Sequence, residues 1–250
     1  MIYSNICEGI FLSRPNRFIA HVEIGDRTEI CHVKNTGRCK ELLVSGARVY
    51  LDESDNPGRT TKYDLVAVWK GERLINMDSQ APNRVFLEYL GSGRYIDNIT
   101  LIKPEARYGS SRFDFYCEAT RFPGTRSKSV DFANGWGSYV EAGKRKIFIE
   151  VKGVTLEENG VALFPDAPTE RGVKHLNELA RCIGEGYEAQ VVFVIQINNV
   201  RYFAPNNATH PAFGEALIAT EAAGVKVVAL DCKVSPDSMV IGESVPVRLI

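Results

Sequence analysis

The period of the hydrophobic pattern changes at Gln80, and that change limits what the chain can fold into. Before it, apolar residues alternate in short runs broken by Gly, Asp, Asn and Pro. Arg17 to Gly25 places Phe18, Ala20, Val22 and Ile24 on one face, as a half-buried strand requires. Arg27 to Val33, Arg48 to Leu51, Lys62 to Trp69 and Leu74 to Met77 repeat the pattern. With about five strands and one helical turn near Lys40 to Leu43, this span predicts a small β-barrel of the OB type. After Gln80, strands and helices alternate. Pro82 opens a helix through Val85, Phe86, Tyr89 and Leu90, which Gly91-Ser-Gly ends. Strands at Ser111 to Glu118 and Lys146 to Thr155 precede a helix from Pro168 to Ile183. The run Val191 to Ile197 reads as a strand buried on both faces, followed by a helix at Pro211 to Ala223 and a strand at Lys226 to Leu230. The expected architecture is α/β (α+β): a barrel over residues 1–80 and a mixed-sheet domain over 81–250. Thr120 to Arg145, rich in Gly, Ser and basic residues, is longer than a hairpin needs and reads as an insertion.

Charge narrows the function classes. Thirty Lys and Arg face thirty-one Asp and Glu, a formal net charge of -1, which excludes a polybasic nucleic-acid coat. The balance is uneven along the chain. Residues 84–153 carry 12 basic and 8 acidic side chains, including Lys144-Arg145-Lys146; residues 154–250 carry 7 and 12. The six cysteines, at 7, 31, 39, 117, 182 and 232, form no C-x-x-C pair, which argues against a disulfide scaffold or a zinc ribbon. No signal-peptide pattern and no apolar run of membrane-spanning length is present, so the expectation is a cytoplasmic protein with no membrane partner.

Three groups of residues can carry chemistry. Glu150 and Lys152 stand two apart on one strand and share a face; Asp114 lies on another strand, 36 residues earlier. Two carboxylates and a backbone carbonyl make a hard-oxygen site suited to Mg2+ or Mn2+, and the lysine can orient or deprotonate an attacking water. The same spacing also describes a surface ion pair on an edge strand. In the helix from Pro168, Arg171, His175 and Glu178 recur at i, i+4 and i+7, a stripe that either meets phosphate or faces solvent. Gly172 inside that helix suggests close approach of a neighbour. Third, Arg14, Arg17, Lys34 and Arg38 lie in barrel loops, where OB proteins bind oligonucleotides. No Walker A, G-x-G-x-x-G, H-E-x-x-H or G-x-S-x-G motif is present.

Taken together, Arg14-Pro-Asn-Arg-Phe, Asn35-Thr-Gly-Arg, Tyr108-Gly-Ser-Ser-Arg-Phe-Asp-Phe, Glu150-Val-Lys-Gly-Val-Thr-Leu and Phe164-Pro-Asp-Ala-Pro-Thr-Glu-Arg-Gly-Val-Lys-His-Leu resemble the sugar fermentation stimulation protein family over nearly the whole chain. The resemblance implies an OB-like domain joined to a domain of the PD-(D/E)xK nuclease fold. It also implies DNA binding without strong sequence specificity and a link to sugar (maltose) metabolism genes. By motif match, Asp114, Glu150 and Lys152 take the catalytic positions, with Asp114 and Glu150 as metal ligands. Arg112 is placed to reach a phosphate, and Glu105 is a further acid nearby. Two readings compete: an Mg2+-dependent DNA nuclease in which Arg171 and His175 steady the phosphate, and a DNA-binding regulator that keeps the nuclease fold without turnover. A third is an OB-type carbohydrate or RNA binder. A homodimer is the assembly left open.

Overall fold

A computed structural model describes residues 1–35, 37–120 and 143–249. Its first element, β1 (Ile6–Asn16), is one that the sequence pattern hid. Register shifts between Phe11 and Ser13 and between Ser13 and Asn16 break its alternation. β2 (Ile19–Ile24), β3 (Arg27–Val33), β4 (Arg48–Glu53) and β5 (Tyr63–Lys70) match the predicted strands. They run in the order β3-β2-β1-β4-β5, and a parallel pairing of β3 with β5 closes them into a five-stranded OB barrel. β6 (Arg73–Asn76) extends the β5 edge. The predicted helical turn is present, with Leu43 donating its N–H to the Cys39 carbonyl at 2.9 Å.

Asp64 holds the closing seam. It faces His32 in the β3–β5 register and accepts from His32 Nδ1 at 3.0 Å and from Arg59 at 2.6 and 3.0 Å. Burial pushes its pKa up, but the hydrogen bonds from Arg59 and His32 outweigh that and hold it below the ordinary 3.8. A carboxylate with a depressed folded pKa adds stability above the unfolded value and loses it as pH falls through the folded one. Asp64→Asn should therefore lower stability at neutral pH and flatten its decline below pH 3.8, read by urea unfolding across an acid pH series. Parallel wild-type and variant curves would remove Asp64 as the acid-labile group.

The second unit begins with α1 (Ala81–Gly91), where Pro82 occupies the first turn. The edge strand β7 (Ile99–Tyr108) was not predicted, because it is mostly exposed and carries Pro104. β8 (Ser111–Thr120) and β9 (Lys144–Val154) follow; residues 121–142 of the predicted insertion lie outside the described residues. The small strands β10 (Leu156–Glu158) and β11 (Val161–Phe164) precede α2 (Glu170–Gly184), β12 (Glu188–Ile195) and β13 (Tyr202–Pro205). The chain ends with α3 (Pro211–Ala222), β14 (Lys226–Ser235) and β15 (Ser238–Val245). The main sheet runs β15-β14-β12-β9-β8-β7, with β12 parallel to both β9 and β14 and the remaining pairs antiparallel. Every residue of β12 from Ala189 onward is buried, which is why it reads as a continuous apolar run.

The two units share their cores. One apolar cluster joins Val22, Leu51 and Leu65 of the barrel to Phe193 and Phe213; another joins Val66 and Leu74 to Phe86 of α1 and Ile149 of β9. Gln196, just past β12, donates through Nε2 to the carbonyl and side-chain oxygens of Asn76 and to the Asp78 carbonyl at 2.9–3.1 Å. Lys70 of β5 pairs with Glu157 of β10.

Candidate active site at the strand fork

The β8–β9 ladder runs from Thr120↔Lys144 to Phe115↔Ile149 and stops there. One residue further along each strand stand Asp114 and Glu150. At this fork the Val151 N–H is donated to Asp114 Oδ2 at 2.8 Å, so a side chain takes the place of the next strand partner. Asp114 Oδ1 accepts from Asn83 Nδ2 at 2.8 Å. Asn83 lies in the first turn of α1, which comes close because residue 153 is glycine. A Cβ there would sit 2.7 Å from Pro82 Cγ and 2.8 Å from Gln196 Oε1. Sequence reasoning missed Asn83; its only local signal is a position beside Pro82 at a helix start.

Glu150 is buried, and its Oε1 accepts from Lys152 Nζ and from His175 Nδ1, each at 2.5 Å. With Nδ1–H donating, Nε2 is free to accept from Arg171 Nε at 3.4 Å. The α2 stripe thus binds the cluster from the opposite side. Thr169 caps α2 by accepting the Gly172 N–H at 3.0 Å. The close neighbours that require glycine at 172 are Thr169 and the Phe213 ring, not a ligand.

The two carboxylates are driven apart. Burial, then the Glu150 charge, raise the pKa of Asp114 against the N–H groups of Val151 and Asn83. Burial also pushes Glu150 up, but the His175 hydrogen bond and the Lys152 charge outweigh it and hold Glu150 low. Glu150 Oε2 is buried without a hydrogen-bond partner. Among the described residues no three His, Cys, Asp or Glu side chains already converge on one point. The oxygen donors at the fork are therefore Asp114 and the orphaned Glu150 oxygen. Those are hard oxygen donors and fit a divalent cation such as Mg2+.

Two family models match the chain: the SfsA N-terminal OB domain over residues 12–77 and the sugar fermentation stimulation protein RE domain over residues 80–238. A sugar fermentation stimulation protein homolog from Desulfitobacterium hafniense (strain Y51) is 57% identical over 250 residues, covering 100% of this chain and 99% of its own. The homolog from Ruminiclostridium cellulolyticum is 53% identical over 249 residues and covers all of both chains. The chain belongs to the sugar fermentation stimulation protein family. Its fold matches a solved structure of Pyrococcus furiosus SfsA in complex with Ca2+ with a TM-score of 0.80, at 28% identity, over 99% of this chain and 98% of that one.

In this family member the other predicted contact residues divide into free and engaged groups. Arg17, Arg38, Arg112 and Arg171 are exposed, and Arg112 makes only a surface pair with Glu105 at 3.4 Å. Arg14, expected to meet phosphate, instead gives its guanidinium to the carbonyls of Gly37, Arg38, Arg17 and Asn35 at 2.7–3.0 Å. Lys34 is neutralised by the buried Asp78 at 2.8 Å. His175 is buried against Glu150 and holds that carboxylate in place of a phosphate. Lys144, Arg145 and Lys146 occupy the far end of β9, roughly 13–20 Å along the strand from Glu150 at about 3.3 Å per residue. Lys144 and Arg145 are paired with Glu118 and Glu188 there, away from the fork. Among the described residues no helix is long and apolar enough to cross a membrane.

Proposed function

We propose that this protein is a metal-dependent nuclease that hydrolyses phosphodiester bonds in DNA. The observation that carries the reading is the fork itself: two carboxylates with opposed pKa shifts, a lysine locked to one of them, and one buried carboxylate oxygen without a partner. A structural ion pair has no use for that orphaned oxygen, whereas a cation site does. Asp114 and Glu150 would hold Mg2+ or Mn2+. Bound there, such an ion lowers the pKa of water and offsets charge on the phosphate. The related Pyrococcus protein was solved with Ca2+, an ion of the same oxygen-seeking class.

The protein's own groups have separable tasks. Lys152 spends one N–H on Glu150 and has two more for the attacking water or a phosphate oxygen. His175 and Arg171 keep Glu150 oriented, and Asn83 with the Val151 N–H does the same for Asp114. Water adds to phosphorus and gives up a proton to solvent, the P–O bond to the leaving nucleotide breaks, and the departing oxygen takes a proton from solvent. Incubating the protein with DNA and Mg2+ should produce cleavage that EDTA abolishes. Binding with no metal-dependent cutting would leave the family's other reading, a regulator of sugar metabolism genes that retains the nuclease fold.

A further inference from the structure

The barrel carries a groove of about 650 Å3, lined among others by Phe11, Ser13, Arg17, Arg38 and Lys40. A second cavity of about 350 Å3 lies between the barrel and the sheet domain, lined by Asn35, Ser79, Gly153, Asp166, Thr169 and Gln196. Gly37 and Ala167 line both, so the two adjoin. Gly153, the residue after Lys152 on β9, is part of the inner one's wall. The passage between them is close-fitting, since a Cβ on Gly37 would lie 2.6 Å from Asp166 Oδ2.

The groove is charged and preset, and the Phe18 ring lies beside its lining residue Arg17, whose guanidinium stands 5.9 Å from the ring centroid. Among the described residues, no carboxylate pairs with Arg17, Arg38 or Lys40, and all three are exposed. Phe18, next to Arg17 at the turn between β1 and β2, leaves 51% of its surface in solvent. The four carbonyl bonds of Arg14 tie this turn to the loop carrying Asn35, Gly37 and Arg38. Unpaired cations beside an exposed ring are what a single strand uses: phosphates follow the cations and an unstacked base covers the ring. A duplex keeps its bases stacked inside and offers Phe18 nothing.

We propose that the barrel groove grips single-stranded DNA, with a base stacked on Phe18 and phosphates on Arg17, Arg38 and Lys40, and leads that strand toward the fork. The binding half stands on the groove alone; delivery of the strand for cutting rests on the nuclease reading.

The test is fluorescence anisotropy in EDTA with a labelled oligothymidine, a blunt duplex of equal length and an oligouridine. Oligothymidine should bind at least tenfold more tightly than the duplex. Phe18→Ala should weaken oligothymidine binding roughly five- to hundredfold and leave duplex binding unchanged, while Phe18→Tyr keeps affinity. Arg38→Ala with Lys40→Ala should lower the slope of log affinity against log salt by about 1.4, at about 0.7 per lost phosphate contact. Duplex binding as tight as oligothymidine, or no effect of Phe18→Ala, would overturn the proposal, and tighter oligouridine binding would overturn its assignment to DNA. Repeating the assay with Mg2+ separates the two claims. Tight binding of oligothymidine with no cutting of any DNA supports the groove and rejects the nuclease; cutting of oligothymidine that Phe18→Ala does not slow supports the nuclease and rejects the groove.

Discussion

Glu150→Gln should reduce Mg2+-dependent DNA cleavage by at least ~10²-fold, with DNA binding unchanged. Gln matches Glu in size and keeps one oxygen for Lys152 and His175, so the fork holds its shape. What it loses is charge. Gln cannot serve as an anionic ligand through the oxygen now orphaned, nor balance Lys152, and groups of this kind are typically worth ~10²–10³ in rate. The hydrogen bonds to a charged acceptor become bonds to a neutral one, costing about 1–3 kcal/mol of stability and not the fold. Cleavage by the variant at the wild-type rate would mean that chemistry at this fork does not depend on Glu150.

The second large effect lies at the joint between the units. Gln196→Leu should destabilise the protein by about 3 kcal/mol, since the Asn76 and Asp78 carbonyls left without this donor cost about 1–3 kcal/mol each, while Asn76 Oδ1 keeps the Asp78 N–H and partial relaxation recovers some of the loss. Gln196 is 2% exposed, and its amide serves both Asn76 oxygens and the Asp78 carbonyl. Leu keeps the volume and removes the carboxamide. For a chain of this length the loss corresponds to a Tm lower by roughly 6–12 °C, at about 2–4 °C per kcal/mol. Because both apolar clusters draw on both units, the variant should still melt in one calorimetric transition. Two separated transitions, or an unchanged Tm, would show that Gln196 does not couple the units.

Much of this architecture is legible in the sequence, for definite reasons. β12 is buried on both faces and so reads as a continuous apolar run; α2 carries its Arg171, His175 and Glu178 stripe in plain spacing. β1 and β7 are not legible, since one is bulged and the other lies exposed at the sheet edge with a proline. At the candidate site, spacing puts Glu150 and Lys152 on one face with Asp114 on another strand, and the resemblance assigns all three the catalytic positions. The direction in which a charged group points is different, because its partner is chosen by the folded chain. Arg14 and Lys34 look like free loop cations until the fold supplies four carbonyls to one and the buried Asp78 to the other. His175 sits on the predicted stripe, but only the packing of α2 against β9 turns it onto Glu150.

The central claim is that Asp114 and Glu150 form one cation site, and calorimetric titration with Mn2+ tests it most directly. The wild-type protein should bind one ion at the fork, and Asp114→Asn combined with Glu150→Gln should abolish that binding while the protein stays folded by circular dichroism. Equal Mn2+ binding by the two proteins, or none by the wild type, would contradict the account.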